Sequence, residues 1–106
     1  VILELDGRAV ELDWKGAAVL LALRWAKTGA LSLSMLSAIE PDYGRLRALV
    51  ERLEGLQLVG AARVGRGVLV YLTGRGAAAA EELERKAVEL GLIQGPATPA
   101  TARASA

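Results

Sequence analysis

Apolar and polar residues alternate through the first dozen positions, with Val1, Leu3 and Leu5 on one face of a first run and Val10 and Leu12 on one face of a second, hinged at Asp6-Gly7. A period of two marks half-buried strands, and Asp-Gly between them is a strong hairpin signal. KGAAVLLALRWAK follows with polar side chains only at Lys15, Arg24 and Lys27. That pattern predicts a buried helix, apolar nearly all round and stopped at Thr28-Gly29. LSLSMLSAIEPDYGRLRALVERLEG reads as two short helices broken at Glu40-Pro41-Asp42, because proline is barred from a helix interior. Ser34 is placed to cap the first, turning Leu36 and Ile39 inward, and Asp42 to cap the second. In the second, Leu46, Leu49, Val50 and Leu53 recur at spacings of three and four and define the core stripe. Gly44, Arg47, Ala48, Glu51 and Arg52 fall on the other face.

LQLVGAARVGRGVLVYLT reads as strand, Gly65-Arg66-Gly67 turn and strand. At Thr73 the period changes from two to helical, and a threonine hydroxyl there can accept from an unpaired N–H of the helix it opens. The final helix, Ala77 to Leu90, stops at Gly91. The order is hairpin, helix, short helix, turn, helix, hairpin, long helix. A three-helix core followed by a two-stranded wing is the arrangement of a winged helix-turn-helix domain, so the fold class is α+β, with an N-terminal β-hairpin and a long C-terminal helix added. The expected boundaries are a domain over residues 1–92, comprising hairpin 1–14, helical core 16–56, wing 57–73 and C-terminal helix 74–91. Residues 93–106 lack apolar periodicity and are expected to be a disordered tail.

Composition narrows the chemistry. The 106 residues, 53% of them apolar, suffice for one core. Cys and His are both absent, which removes disulfides, thiolate redox chemistry, imidazole metal ligands and a His general base. No enzyme activity, cofactor or metal is implied. The longest uncharged stretch, Thr28 to Ile39, has 12 residues and three serines. A membrane span needs roughly 18 apolar residues. No secretory signal pattern is visible, so a cytoplasmic location with no membrane partner is expected.

Three motifs resemble the winged-helix regulators of the MarR, PadR and ArsR kind: Leu33, Ser34 and Leu36 as L-S-x-L; Arg52, Leu53, Leu58 and Val59 as R-L-x-x-x-G-L-V; and Tyr71, Leu72, Thr73 and Gly76 as Y-x-L-T-x-x-G. The similarity runs from about Ala17 to Leu90. Two departures stand out. The glycine is displaced, giving E-G-L-Q-L-V, and the tyrosine is adjacent to the leucine instead of one residue removed. LELDGRAVELDWKGAAVLLAL is also faintly similar to the start of OmpR-type winged-helix domains, without their basic recognition helix. The resemblance implies sequence-specific binding of double-stranded DNA in transcriptional regulation, with the second short helix as recognition helix.

Charge patterning agrees. Residues 41–76 hold six arginines against three acids, a balance of +3, whereas the segments on either side are each −1. The DNA-contacting set expected is Tyr43, Gly44, Arg45, Arg47, Ala48, Arg52, Arg63 and Arg66. Glu51 would repel phosphate; it could instead accept from a cytosine amino group or mark a helix that meets protein. Gly65-Arg66-Gly67 lacks both phosphate-loop patterns and reads as a wing tip or a plain turn. Glu81, Glu82, Glu84 and Glu89 suggest a solvated face paired with Arg85 and Lys86. Trp14 and Trp25 read as core or interface anchors. Ala80, Leu83, Ala87 and Leu90, spaced three, four and three, form a narrow seam for a partner helix in a homodimer, or for the chain's own domain. The alternative to DNA binding is a winged-helix protein-interaction module of a larger replication or transcription assembly.

Overall fold

A computed structural model describes residues 1–91. The order is β1 (Ile2–Leu5), β2 (Arg8–Glu11), α1 (Trp14–Trp25), β3 (Ala30–Ser32), α2 (Leu33–Leu36), α3 (Tyr43–Gly55), β4 (Val59–Val64), β5 (Gly67–Leu72) and α4 (Gly74–Glu89). The segment 93–106, expected to be disordered, lies outside the described residues. Asp6 and Gly7 both take positive φ, 53° and 76°, as the tight turn of the β1–β2 hairpin requires. Leu3 and Leu5 of this hairpin are buried, and β1 lies against α4.

The strand β3 departs from the sequence reading, which assigns no strand between the stop at Thr28-Gly29 and the helix capped at Ser34. It pairs antiparallel with β5, Leu31 opposite Val70, so the sheet has three strands in the order β3-β5-β4. Three residues carry too little periodicity to announce a strand; the pairing with a segment 39 positions later supplies it. Because β3 extends to Ser32, the cap of α2 moves back from Ser34 to Ser32, whose hydroxyl accepts from the Met35 N–H at 3.3 Å. Asp42 caps α3 by accepting from the Arg45 N–H at 2.9 Å. Between these helices Glu40 is buried, accepting from Lys15 Nζ at 2.5 Å and from the Asp42 N–H at 3.1 Å. The Lys15 hydrogen bond, followed by the Asp42 N–H, holds the Glu40 carboxyl below its usual pKa. This ion pair ties the turn before α3 to α1.

Helix α3 buries Leu46, Leu49, Val50 and Leu53, the stripe its spacing predicts. It ends in a Schellman closure: Leu58 N–H donates to Leu53 C=O at 3.0 Å and Gln57 N–H to Glu54 C=O at 2.8 Å, with Gln57 at φ 64°. The left-handed position is therefore the residue before Leu58-Val59, where the motif has glycine and this chain has glutamine, at a cost of roughly 1–2 kcal/mol. The corner keeps its length; what differs is the residue that strains to make it.

Helix α4 starts against this corner. Thr73 Oγ1 accepts from the Gly76 N–H at 2.9 Å and donates to Gln57 C=O at 2.7 Å, while Thr73 N–H donates to Leu58 C=O at 3.1 Å. A Cβ on Gly76 would fall 1.7 Å from the Leu58 carbonyl oxygen, so only glycine lets the first turn of α4 come this close. The T-x-x-G pair is thus a clamp, with threonine supplying the bonds and glycine the clearance.

Helices α1 and α4 pack together, and this packing corrects two expectations. Ala80 and Leu83 are buried in the chain's own core, so the outer part of the expected seam reduces to Ala87 and Leu90, with Leu83 at its floor. Glu84 is not on a solvated face. It is 8% exposed, accepting from Trp25 Nε1 at 2.6 Å and Arg24 Nε at 3.1 Å. The Trp25 indole N–H, and then Arg24, keep its carboxyl below the ordinary 4.5 despite burial. Nor is α1 buried all round: Trp14 and Trp25 both lie largely in solvent.

Candidate nucleic-acid interface

With its leucine stripe turned inward, α3 presents a ridge opposite made of Gly44, Ala48, Glu51 and Gly55, all exposed. Two flanks rise beside this ridge. On the wing side, Tyr43 and Arg47 lie one turn apart, and Arg47 Nη1 donates to the Tyr43 hydroxyl at 3.3 Å while its Nη2 sits 3.9 Å from Glu51 Oε2. The Tyr43 hydroxyl, then Glu51 and Glu54, raise the Arg47 pKa further above its already high value. A cleft joins Arg47 to Arg63 of β4, and another brings Tyr43 to Arg66 at the wing tip together with Ser34 and Ser37 of the α2 segment. On the α1 side, Arg45 and Arg52 share a cleft with Asp13, Lys15 and Glu40.

The structure thus brings Tyr43, Arg47, Arg63 and Arg66 together, places Gly44 and Ala48 on the ridge between the flanks, and sets Arg45 and Arg52 on the opposite side. Not all of the positive excess is available. Arg75 pairs with Asp6 of the β1–β2 turn and donates to Leu56 C=O at 3.2 Å, so its role is to seat α4. Arg52 reaches Asp13 at 3.4 Å, next to the N-terminus of α1. Among the described residues no ion pair involves Arg45, Arg63 or Arg66. Ser34 and Ser37 did not enter the expected contact set; the sequence signal of Ser34 is that of a helix cap, and only the fold puts both serines beside Tyr43 and Arg66.

No protein-family model and no curated protein matches the chain. Solved structures do. A mutant MarR from E. coli complexed with operator DNA aligns with a TM-score of 0.62 and 26% identity over 73% of this chain and 56% of its own. BpsR of Bordetella bronchiseptica, whose DNA binding is regulated by 6-hydroxynicotinic acid, aligns at 0.60 with 29% identity over 86% and 69%. A mutant ZitR from Lactococcus lactis aligns at 0.58 with 19% identity over 69% and 51%. The chain has the winged helix-turn-helix fold of these MarR-type neighbours. It spans about half the length of the ZitR and MarR chains it matches. In this MarR-type fold α2 and α3 form the helix-turn-helix and β4–β5 the wing, with β3 closing the sheet. No helix among the described residues is long and apolar enough to cross a membrane.

Proposed function

We propose that this chain binds double-stranded DNA as a transcriptional regulator of the MarR kind, with α3 in the major groove and the wing on backbone or minor groove. The observation that carries the reading is the placement of exposed arginines on both flanks of α3 and on the wing, around a ridge of small residues. Such a surface lets a helix backbone approach base edges while guanidinium groups meet phosphates on either side. The likeness to MarR in its operator complex supports it. In this reading Tyr43, Arg63 and Arg66 meet the backbone on the wing side, Arg45 and Arg52 on the other, and Gly44 and Ala48 give the helix its clearance.

Arg45→Ala combined with Arg47→Ala tests it, because both side chains flank the core stripe and their removal spares the fold. The double variant is expected to bind duplex DNA more weakly, with log affinity against log salt shallower by roughly one for each phosphate no longer neutralised. Unchanged affinity and slope would show that α3 does not enter DNA.

The chain is further proposed to act as a homodimer. Ile2, Trp14, Leu21, Ala87 and Leu90 form an apolar face where the N-terminal hairpin, α1 and α4 meet, with Leu90 74% exposed. Two copies joined there can present two recognition helices to a palindromic site, about 34 Å apart. Leu90→Glu is expected to turn dimers into monomers by light scattering, where Leu83→Glu would disturb the core instead. A monomeric parent at high concentration would remove the dimer. It would favour the protein-interaction module, a reading that the acidic Glu51 on the α3 ridge also favours.

A further inference from the structure

The ridge of α3 holds one feature that phosphate binding does not explain. Its other residues, Gly44, Ala48 and Gly55, carry at most a methyl group, so Glu51 is the one ridge side chain long enough to reach beyond the helix. It is well exposed, at 66% for the side chain, and its carboxylate lies 3.9 Å from Arg47. A helix that docks with Arg45 and Arg52 on one flank and Arg47 and Arg63 on the other must carry Glu51 to the floor of the groove. There a carboxylate is repelled by every phosphate in range and is tolerated only where a donor meets it.

The major groove offers two base donors, the amino groups of cytosine and adenine. The adenine amino group stands beside the N7 acceptor of the same base, which repels a carboxylate. Cytosine presents its amino group with no acceptor on its own edge, and the acceptors of its paired guanine, O6 and N7, suit an arginine fork. Glu51 and Arg47 hold an acceptor and a donor side by side, the complement of a G·C pair. Arg47 is steadied for this by its hydrogen bond to Tyr43. Resting on the DNA-binding reading above, we infer that Glu51 is a specificity-determining residue that accepts from a cytosine amino group, with Arg47 beside it on guanine.

Selection from a randomised duplex library, run with the parent protein and with Glu51→Gln and Glu51→Ala, tests the inference. The parent is expected to select sites with a fixed cytosine in each half-site, other bases there binding roughly tenfold or more weakly. Glu51→Gln should move that position towards adenine, since a carboxamide pairs with adenine N6 and N7. Glu51→Ala should lose the preference there and keep it elsewhere. Circular dichroism should show both variants folded, as the side chain lies outside the core. The inference falls if both variants still select the same cytosine. It falls equally if Glu51→Ala tightens binding to all sequences alike, since Glu51 would then only repel phosphate. A parent that enriches no duplex takes the DNA-binding reading down with it, a result distinct from parental enrichment that the variants leave unchanged.

Discussion

Gly76→Ala is expected to unfold the domain or nearly so. A new Cβ would stand 1.7 Å from the Leu58 carbonyl oxygen and 2.7 Å from its carbon, and these are backbone atoms that no rotamer change can move aside. Helix α4 would have to withdraw by more than an ångström. That withdrawal stretches the bonds from Thr73 to Leu58, Gln57 and Gly76 together. We expect a destabilisation of about 4 kcal/mol or more, in the far tail of single substitutions and close to the whole stability of a small domain. Helix propensity alone would favour alanine by about 1 kcal/mol, so the sign of the effect is diagnostic. Gly74→Ala is the control, two residues earlier in α4 with nothing within 4 Å of its added methyl. Urea unfolding that puts Gly76→Ala within about 1 kcal/mol of the parent would show that α4 does not abut the α3–β4 corner.

Leu53→Ala is the second large effect. Leu53 is almost wholly buried in the last turns of α3, facing α1, where a Cβ added to Gly16 would meet its Cδ2 at 3.7 Å. Emptying such a site costs about 2–5 kcal/mol, depending on how far the surroundings collapse. Denaturation within about 0.5 kcal/mol of the parent would place Leu53 at the surface and rotate the whole arginine pattern with it. The variant also separates stability from recognition. Under conditions where it remains folded, its salt slope for DNA should match the parent, whereas the Arg45 and Arg47 double variant should change the slope and leave stability alone.

The features legible in the sequence are those whose cause is local. Asp6-Gly7, the caps Asp42 and Thr73 and the α3 stripe each depend on residues within a turn or two, and each stands where the spacing put it. The features missed have distant causes. β3 exists because β5 lies beside it, and once it forms, Ser32 and not Ser34 becomes the cap. Glu84 leaves the acidic face of α4 because Trp25 and Arg24, some 60 positions earlier, wait on α1. Arg75 leaves the basic count because Asp6, 69 positions away, claims it. Ala80 and Leu83 have a spacing that serves an inner and an outer partner equally, and the fold assigns them inward. In the proposed interface, the arginines of α3 follow from periodicity, while the grouping of Tyr43 with Arg66, Ser34 and Ser37 needed the chain to close on itself.

The sheet has one more property that bears on how its tip behaves. Strand β5 is bonded on both edges from Leu69 to Leu72, where β3 with Gly29 before it lies on one side and β4 on the other; at Gly67 and Val68 it has β4 alone. The wing is therefore stiff at its root and compliant at its tip, since a two-stranded ribbon twists more freely than a strand held from both sides. Amide hydrogens at the root should exchange only with global opening, and those around Gly65 and Arg66 by local fluctuation. Like a cantilever, the wing keeps a fixed bearing on the core while its end, with Arg66, adapts to the curvature of whatever it touches.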